Sequence, residues 1–184
     1  TNKSFLKPDA DCVTHWRTRL AEIGDNPIKA GFFWRSGAAN RNLMREYPTL
    51  DDWSLVLGQP GIDFISFQYG ENVDELRHLS ESTNISLHFL NGIDFFEDLD
   101  DVAALSKACD FFVGPVTTNC WIAAAVGTPT LVAGLPAEWL CLGMAELPWL
   151  PSTEYLKRSS EGPWQPTLEA IAARARKFST SGMK

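Results

Sequence analysis

Long apolar runs are missing from this sequence. No stretch approaches the roughly 18 residues needed to cross a bilayer, and the first residues hold no signal-peptide pattern. Basic residues are in deficit: 16 Lys+Arg face 23 Asp+Glu, a net charge of −7, which argues against nonspecific nucleic-acid binding. Histidine is scarce, and His15, His78 and His88 lack the spacing of metal ligands. The four cysteines, Cys12, Cys109, Cys120 and Cys141, form no CxxC pair, so we expect reduced structural thiols in a cytoplasmic protein. There is no GxGxxG after the first apolar run, no Walker A sequence and no Gly-x-Ser-x-Gly elbow. Fixed-period repeats and low-complexity segments are also lacking.

What is present is a chain of 184 residues, 45% hydrophobic and 11% aromatic, enough for one ordinary core and too apolar for a disordered state. It opens on Thr1 rather than Met, from which we expect a fragment or processed product. Charge is unevenly spread. Residues 1–50 are basic on balance, 51–110 carry thirteen acidic side chains against two basic ones, and 157–184 turn basic again. An anionic ligand is therefore expected near the first arginines or a helix N-terminus, away from the acidic middle.

The pattern alternates helices with short apolar strands. Asp9 or Asp11 caps a helix carrying Val13, Trp16, Leu20 and Ile23, which Gly24-Asp25-Asn26-Pro27 stops. Strands are expected at 30–34, 63–68, 85–89, 111–113 and 130–133. Helices fall between them: a short one capped by Thr49 or Asp51, then 72–79, then one capped by Asp100, then the small-residue helix 119–126. A basic helix from about Pro166 to Phe178 ends the chain. This order predicts a Rossmann-like, three-layer α/β domain with a parallel sheet of about five strands. We expect residues 1–28 to be a lead-in or interdomain helix and 29–184 the domain itself.

In such sheets ligands bind outside the carboxyl ends of the strands, and two loops there have suitable chemistry. Trp34-Arg35-Ser36-Gly37 leaves the first strand with a guanidinium, a hydroxyl and a flexible glycine, and Arg41 and Arg45 follow. Guanidinium forks match phosphate oxygens; a solvated basic loop with a surface salt bridge is the alternative. Pro115-Val116-Thr117-Thr118-Asn119 runs straight into a helix whose free N–H groups favour an anion. Ordinary N-capping by Thr117, Thr118 or Asn119 is the alternative there. Together the two loops suggest a diphosphate. Asp98-Leu99-Asp100-Asp101 has the look of a carboxylate pair for a divalent metal, but it opens a helix, and capping explains it more simply. Tyr69, Trp139 and Trp149 are candidates to stack on a base or sugar, or simply to pack.

The ordered landmarks resemble a known family. They are Lys7-Pro8-Asp9, Phe33-Trp34-Arg35-Ser36-Gly37, Tyr47-Pro48-Thr49-Leu50-Asp51-Asp52-Trp53, Phe64-Ile65-Ser66-Phe67-Gln68-Tyr69-Gly70, Asp98 to Leu105, Ala123 to Thr130, Leu147 to Ser152, and Trp164. The set is similar to the C-terminal, nucleotide-sugar-binding half of bacterial GT-B glycosyltransferases, the kind often attached to tetratricopeptide repeats. More distantly it is similar to heptosyltransferases and O-linked N-acetylglucosamine transferases. The resemblance implies a nucleoside diphosphate sugar donor held in a cleft at the strand carboxyl ends, with the diphosphate against the helix near Thr117. It implies phosphate contacts from Arg35 and Arg45, Gln68 at the cleft, and the loop 91–101 beside the nucleotide. It also implies catalysis without a bound metal or other cofactor, a protein or glycan acceptor, and an N-terminal GT-B half that lies outside this sequence. Val116 and Trp121 depart from the family pattern, in which an Asp precedes the small-residue helix and a His lies in its first turn. The departures imply either a different sugar or a degenerate, non-catalytic binding module.

Overall fold

Hydrophobic residues alternate along the strands so that each apolar face of the sheet meets its own set of helices. The structure, a computed structural model, describes residues 4–36, 47–70, 72–83, 85–136, 138–144 and 147–181, excepting the side chains of Asn72, Glu138, Trp139 and Ser181. The elements run in the order α1 (Ala10–Ala21), β1 (Ile28–Phe32), α2 (Leu50–Leu57), β2 (Ile62–Ser66), α3 (Asn72–Ser82), β3 (Leu87–Phe89) and α4 (Leu99–Ala108). Then follow β4 (Phe111–Pro115), α5 (Thr118–Ala125), β5 (Thr130–Gly134), α6 (Glu138–Cys141), β6 (Thr153–Lys157) and α7 (Gln165–Ser181). All pairings are parallel, in the order β3-β2-β1-β4-β5-β6. The architecture is the expected Rossmann-like three-layer α/β fold. The sheet has six strands rather than five: Thr153-Glu154-Tyr155-Leu156-Lys157 is an edge strand whose exposed Glu154 and Lys157 break the apolar run that marks its neighbours.

One face is built by Phe32, Trp53, Phe64, Phe111 and Ile171, which bring α2 and α7 onto the sheet. The opposite face gathers Trp16, Ile65, Phe67, Val102 and Phe112 under α1, α4 and α5. Each large side chain fully buried in these layers contributes about 2 kcal/mol. Local capping agrees with the packing. Asp9 accepts the N–H groups of Asp11 and Cys12 at the start of α1 (2.9 and 3.0 Å). Thr49 and Asp52 form a reciprocal capping box on α2. Helix α4 differs from expectation: Asp98, not Asp100, occupies its N-cap position, and Asp98 spends its carboxylate on the Asp94 N–H (2.9 Å) rather than on the helix. Trp16 Nε1–H donates to Asp101 (2.8 Å), tying α1 to α4.

β1 and β4 approach closely at Gly114, where a Cβ would lie 2.4 Å from the Phe33 carbonyl oxygen. Near the amino ends of the strands, the carboxylate of Asp63 is fully buried. Its Oδ2 pairs with Lys29 Nζ (2.6 Å) and accepts the Asn26 N–H (3.0 Å); its Oδ1 accepts from Asn26 Nδ2 (2.8 Å) and Ser86 Oγ (2.5 Å) and meets His88 Nε2 (3.1 Å). Burial alone would push this carboxyl up, but Lys29, Ser86, Asn26 and His88 together hold it well below the usual carboxylate range. Of the cysteines, Cys12 is exposed and Cys109, Cys120 and Cys141 are buried, all unpaired. Desolvation pushes the Cys120 thiol up to about 12, the signature of a packing residue rather than a nucleophile.

Candidate functional site at the carboxyl rim

Strand order reverses between β1 and β4, so the chain opens a crevice between the loops that leave these two strands. Phe33, Trp34, Arg35 and Ser36 follow β1; Val116 and Thr117 follow β4 and lead into α5; Phe67, Gln68 and Tyr69 follow β2 alongside. The carboxyl rim therefore gathers the described members of both loops recognised in the sequence. Arg41 and Arg45 lie outside the described residues.

Gln68 is buried, 3% exposed, and turned back on the β1 loop. Its Oε1 accepts the N–H groups of Trp34 (3.3 Å) and Arg35 (3.4 Å), while Nε2 donates to the Arg35 carbonyl (3.1 Å) and the Tyr69 carbonyl (3.4 Å). Gln68 thus acts as a structural hook at the rim. The guanidinium of Arg35 lies 4.2 Å over the Trp34 ring and pairs through Nη2 with Glu75 of α3 (2.6 Å). The ion pair of the alternative reading is present, and the Arg35 side chain is only 15% exposed. Trp34 Nε1 is buried beside it with no hydrogen-bond partner among the described residues. Ser36 follows, half-buried.

Helix α5 begins without a side-chain cap. Thr117 holds the N-cap position in extended conformation, but its hydroxyl donates to the Pro115 carbonyl (3.4 Å) instead of accepting from the helix. Asn119 sits inside the first turn, and its Nδ2 donates to the Phe67 carbonyl (3.3 Å), fastening α5 to the end of β2. Thr118 is exposed at the tip. Capping by these three side chains therefore does not occur, and the first-turn N–H groups and the helix dipole remain available to an anion.

Tyr69 links the buried and exposed aromatics of the rim: its ring centroid lies 5.5 Å from Phe33 and 5.4 Å from Phe96, which is 61% exposed. Trp149 is exposed, and its Nε1–H donates to the Leu140 carbonyl (3.2 Å), in the segment between β5 and β6. Beside Tyr69 a cavity of about 270 Å³ opens between the ends of β2 and β3, with Ser66, Gln68, Arg77, Phe89 and Asp94 in its wall. Arg77 stacks 4.4 Å over Phe89. Arg77 sits in no motif, yet as the sole Lys or Arg between positions 51 and 106 it is marked in the sequence by its isolation. The loop 91–101 reaches this cavity through Ile93, Asp94 and Phe95. Asp94 Oδ1 accepts the Phe96 and Glu97 N–H groups (2.8 and 3.2 Å), and Asp98 and Asp101 are committed as described above, so these carboxylates organise the loop. Among the described residues no group of three His, Cys, Asp or Glu side chains is arranged to hold a metal, and no helix is long and apolar enough to cross a membrane.

No family model matches the chain. Protein FlbA of Caulobacter vibrioides is 35% identical over 178 residues, which are 97% of this chain and 30% of FlbA. The chain thus spans less than a third of that relative. Two solved structures superpose on almost all of it at 10% identity. One is a family 9 glycosyl transferase from Veillonella parvula, with a TM-score of 0.66 over 96% of this chain and 53% of that one. The other is the E. coli ADP-heptose LPS heptosyltransferase II, with a TM-score of 0.68 over 97% and 54%. The chain therefore shares its fold with these two structures. This chain corresponds to about half of each of those two structures.

Proposed function

We propose that the chain is the donor-binding half of a glycosyltransferase that moves a sugar from a nucleoside diphosphate sugar to an acceptor hydroxyl on a protein or glycan. The observation that carries this reading is the uncapped start of α5 at the β1–β4 crevice, opposite a loop that brings Arg35 to the same rim. In the proposed chemistry the acceptor oxygen forms a bond to the anomeric carbon and the bond to the diphosphate breaks. Negative charge then grows on the leaving diphosphate, where first-turn N–H groups and the dipole of α5 stabilise it without reorganising. Helix dipole and basic side chains serve here in place of a bound metal. Tyr69 and the β2–β3 cavity flank the nucleoside. A second GT-B half supplies the acceptor side, and a tetratricopeptide segment is a candidate further partner. The unpaired cysteines support a cytoplasmic setting.

Calorimetric titration of the complete protein with UDP, ADP, GDP and CDP tests the reading. One of them is expected to bind, and Arg35→Ala to weaken it about tenfold. Absence of binding by all four overturns it. A second reading, a binding module that kept the fold and lost the chemistry, is favoured by Val116 and Trp121 and by the commitment of Gln68 and Asn119 to backbone carbonyls. Donor binding without transfer or hydrolysis distinguishes that module from an enzyme.

A further inference from the structure

Gln68, Trp34 and Glu75 are among the residues that anchor Arg35. Gln68 fixes its backbone, Trp34 supports the flat face of its guanidinium, and Glu75 takes Nη2 at 2.6 Å. The two partners of the ion pair differ in setting: the Arg35 side chain is 15% exposed, whereas that of Glu75 is 52% exposed. Glu75 therefore stands on the solvent side, on a long side chain that gains entropy when released. The pair runs through Nη2 and one carboxylate oxygen, while a guanidinium fork matches the paired oxygens of a phosphate.

We infer that Glu75 and a ligand phosphate compete for the Arg35 guanidinium, so that Glu75 sets how strongly the rim holds an anion. This deepens the donor-binding reading and rests on it. Glu75 is a specificity-setting counter-ion: weakly charged ligands fail to displace it, and a diphosphate succeeds.

The test is a double-mutant cycle on the complete protein, titrated with UDP, ADP, GDP and CDP. Glu75→Gln is expected to bind its preferred nucleotide about fivefold tighter than wild type, and to do so with a steeper salt dependence. In an Arg35→Ala background the same substitution is expected to change nothing. Melting curves of Glu75→Gln should match wild type, because the residue is half in solvent; Glu75→Ala should shift affinity in the same direction. An unchanged or weaker affinity for Glu75→Gln overturns the inference, as does equal tightening in the Arg35→Ala background, which marks a general charge effect. Failure of all four nucleotides to bind either wild type or Glu75→Gln overturns the donor-binding reading itself.

Discussion

The side-chain amide of Gln68 grips the backbone of Arg35 from both sides, accepting its N–H at 3.4 Å and donating to its carbonyl at 3.1 Å. A residue at the end of β2 thereby fixes the path of the loop leaving β1, thirty-three positions earlier in the chain. The direction in which Trp34 and Arg35 leave the sheet is set by an amide, which offers both donors and an acceptor.

Gln68→Ala strands the buried Trp34 and Arg35 N–H groups and is expected to cost about 2 kcal/mol in urea denaturation. Gln68→Glu keeps the acceptor, removes both donations and buries a charge, so it should cost more. A glutamate variant as stable as wild type would mean that the amide does not hold the loop.

Thr118→Asp separates stability from ligand binding. A carboxylate in the first turn of α5 should stabilise the helix by about 0.5 kcal/mol. The same charge should repel a diphosphate and weaken nucleotide binding about tenfold. Unchanged affinity in calorimetry would move the anion away from α5.

The buried carboxylate of Asp63 predicts an acid limb. Its pKa is depressed in the folded protein, so its contribution is full above the unfolded carboxylate value of about 4 and is lost as pH falls. Stability should therefore decline on acidification from about pH 5. Asp63→Asn should flatten that limb while costing about 3 kcal/mol near neutrality, because Lys29 is left without its counter-charge. Denaturation midpoints measured from pH 3 to pH 7 for both proteins check the sign.

Gly114→Ala drives a methyl group against the Phe33 carbonyl oxygen and Cys120 Sγ. Since the first is backbone just beyond the end of β1, relief requires the chain there to part from β4. A loss of about 2 kcal/mol is expected, with weaker nucleotide binding because the crevice lies just beyond. Wild-type thermal stability would show that the strands can shift freely there.

Five strands were legible because each is a short, largely apolar run, buried throughout in Asp63-Phe64-Ile65-Ser66 and Phe111-Phe112-Val113 and partly buried in Leu87-His88-Phe89. β6 was not, since its exposed Glu154 and Lys157 break the apolar run, whereas the opposite edge strand, β3, has no Asp, Glu, Lys or Arg to break its own. The rim loops were readable from residue types, but their internal chemistry was not. Glu75 lies forty positions from Arg35, Asn119 fifty-two from Phe67, and local spacing cannot announce such pairs. Asp98 and Asp100 were misordered for a related reason: an aspartate near a helix start has more than one N–H within reach, and here the Asp94 N–H won.

β2 carries Asp63 near its amino end, and Gln68 follows its carboxyl end. One anchors the foundations against unfolding; the other shapes the mouth of the crevice. With the two duties held apart, the loops at the rim are free to exchange residues, and so to change what they recognise, while the footing beneath them stays in place.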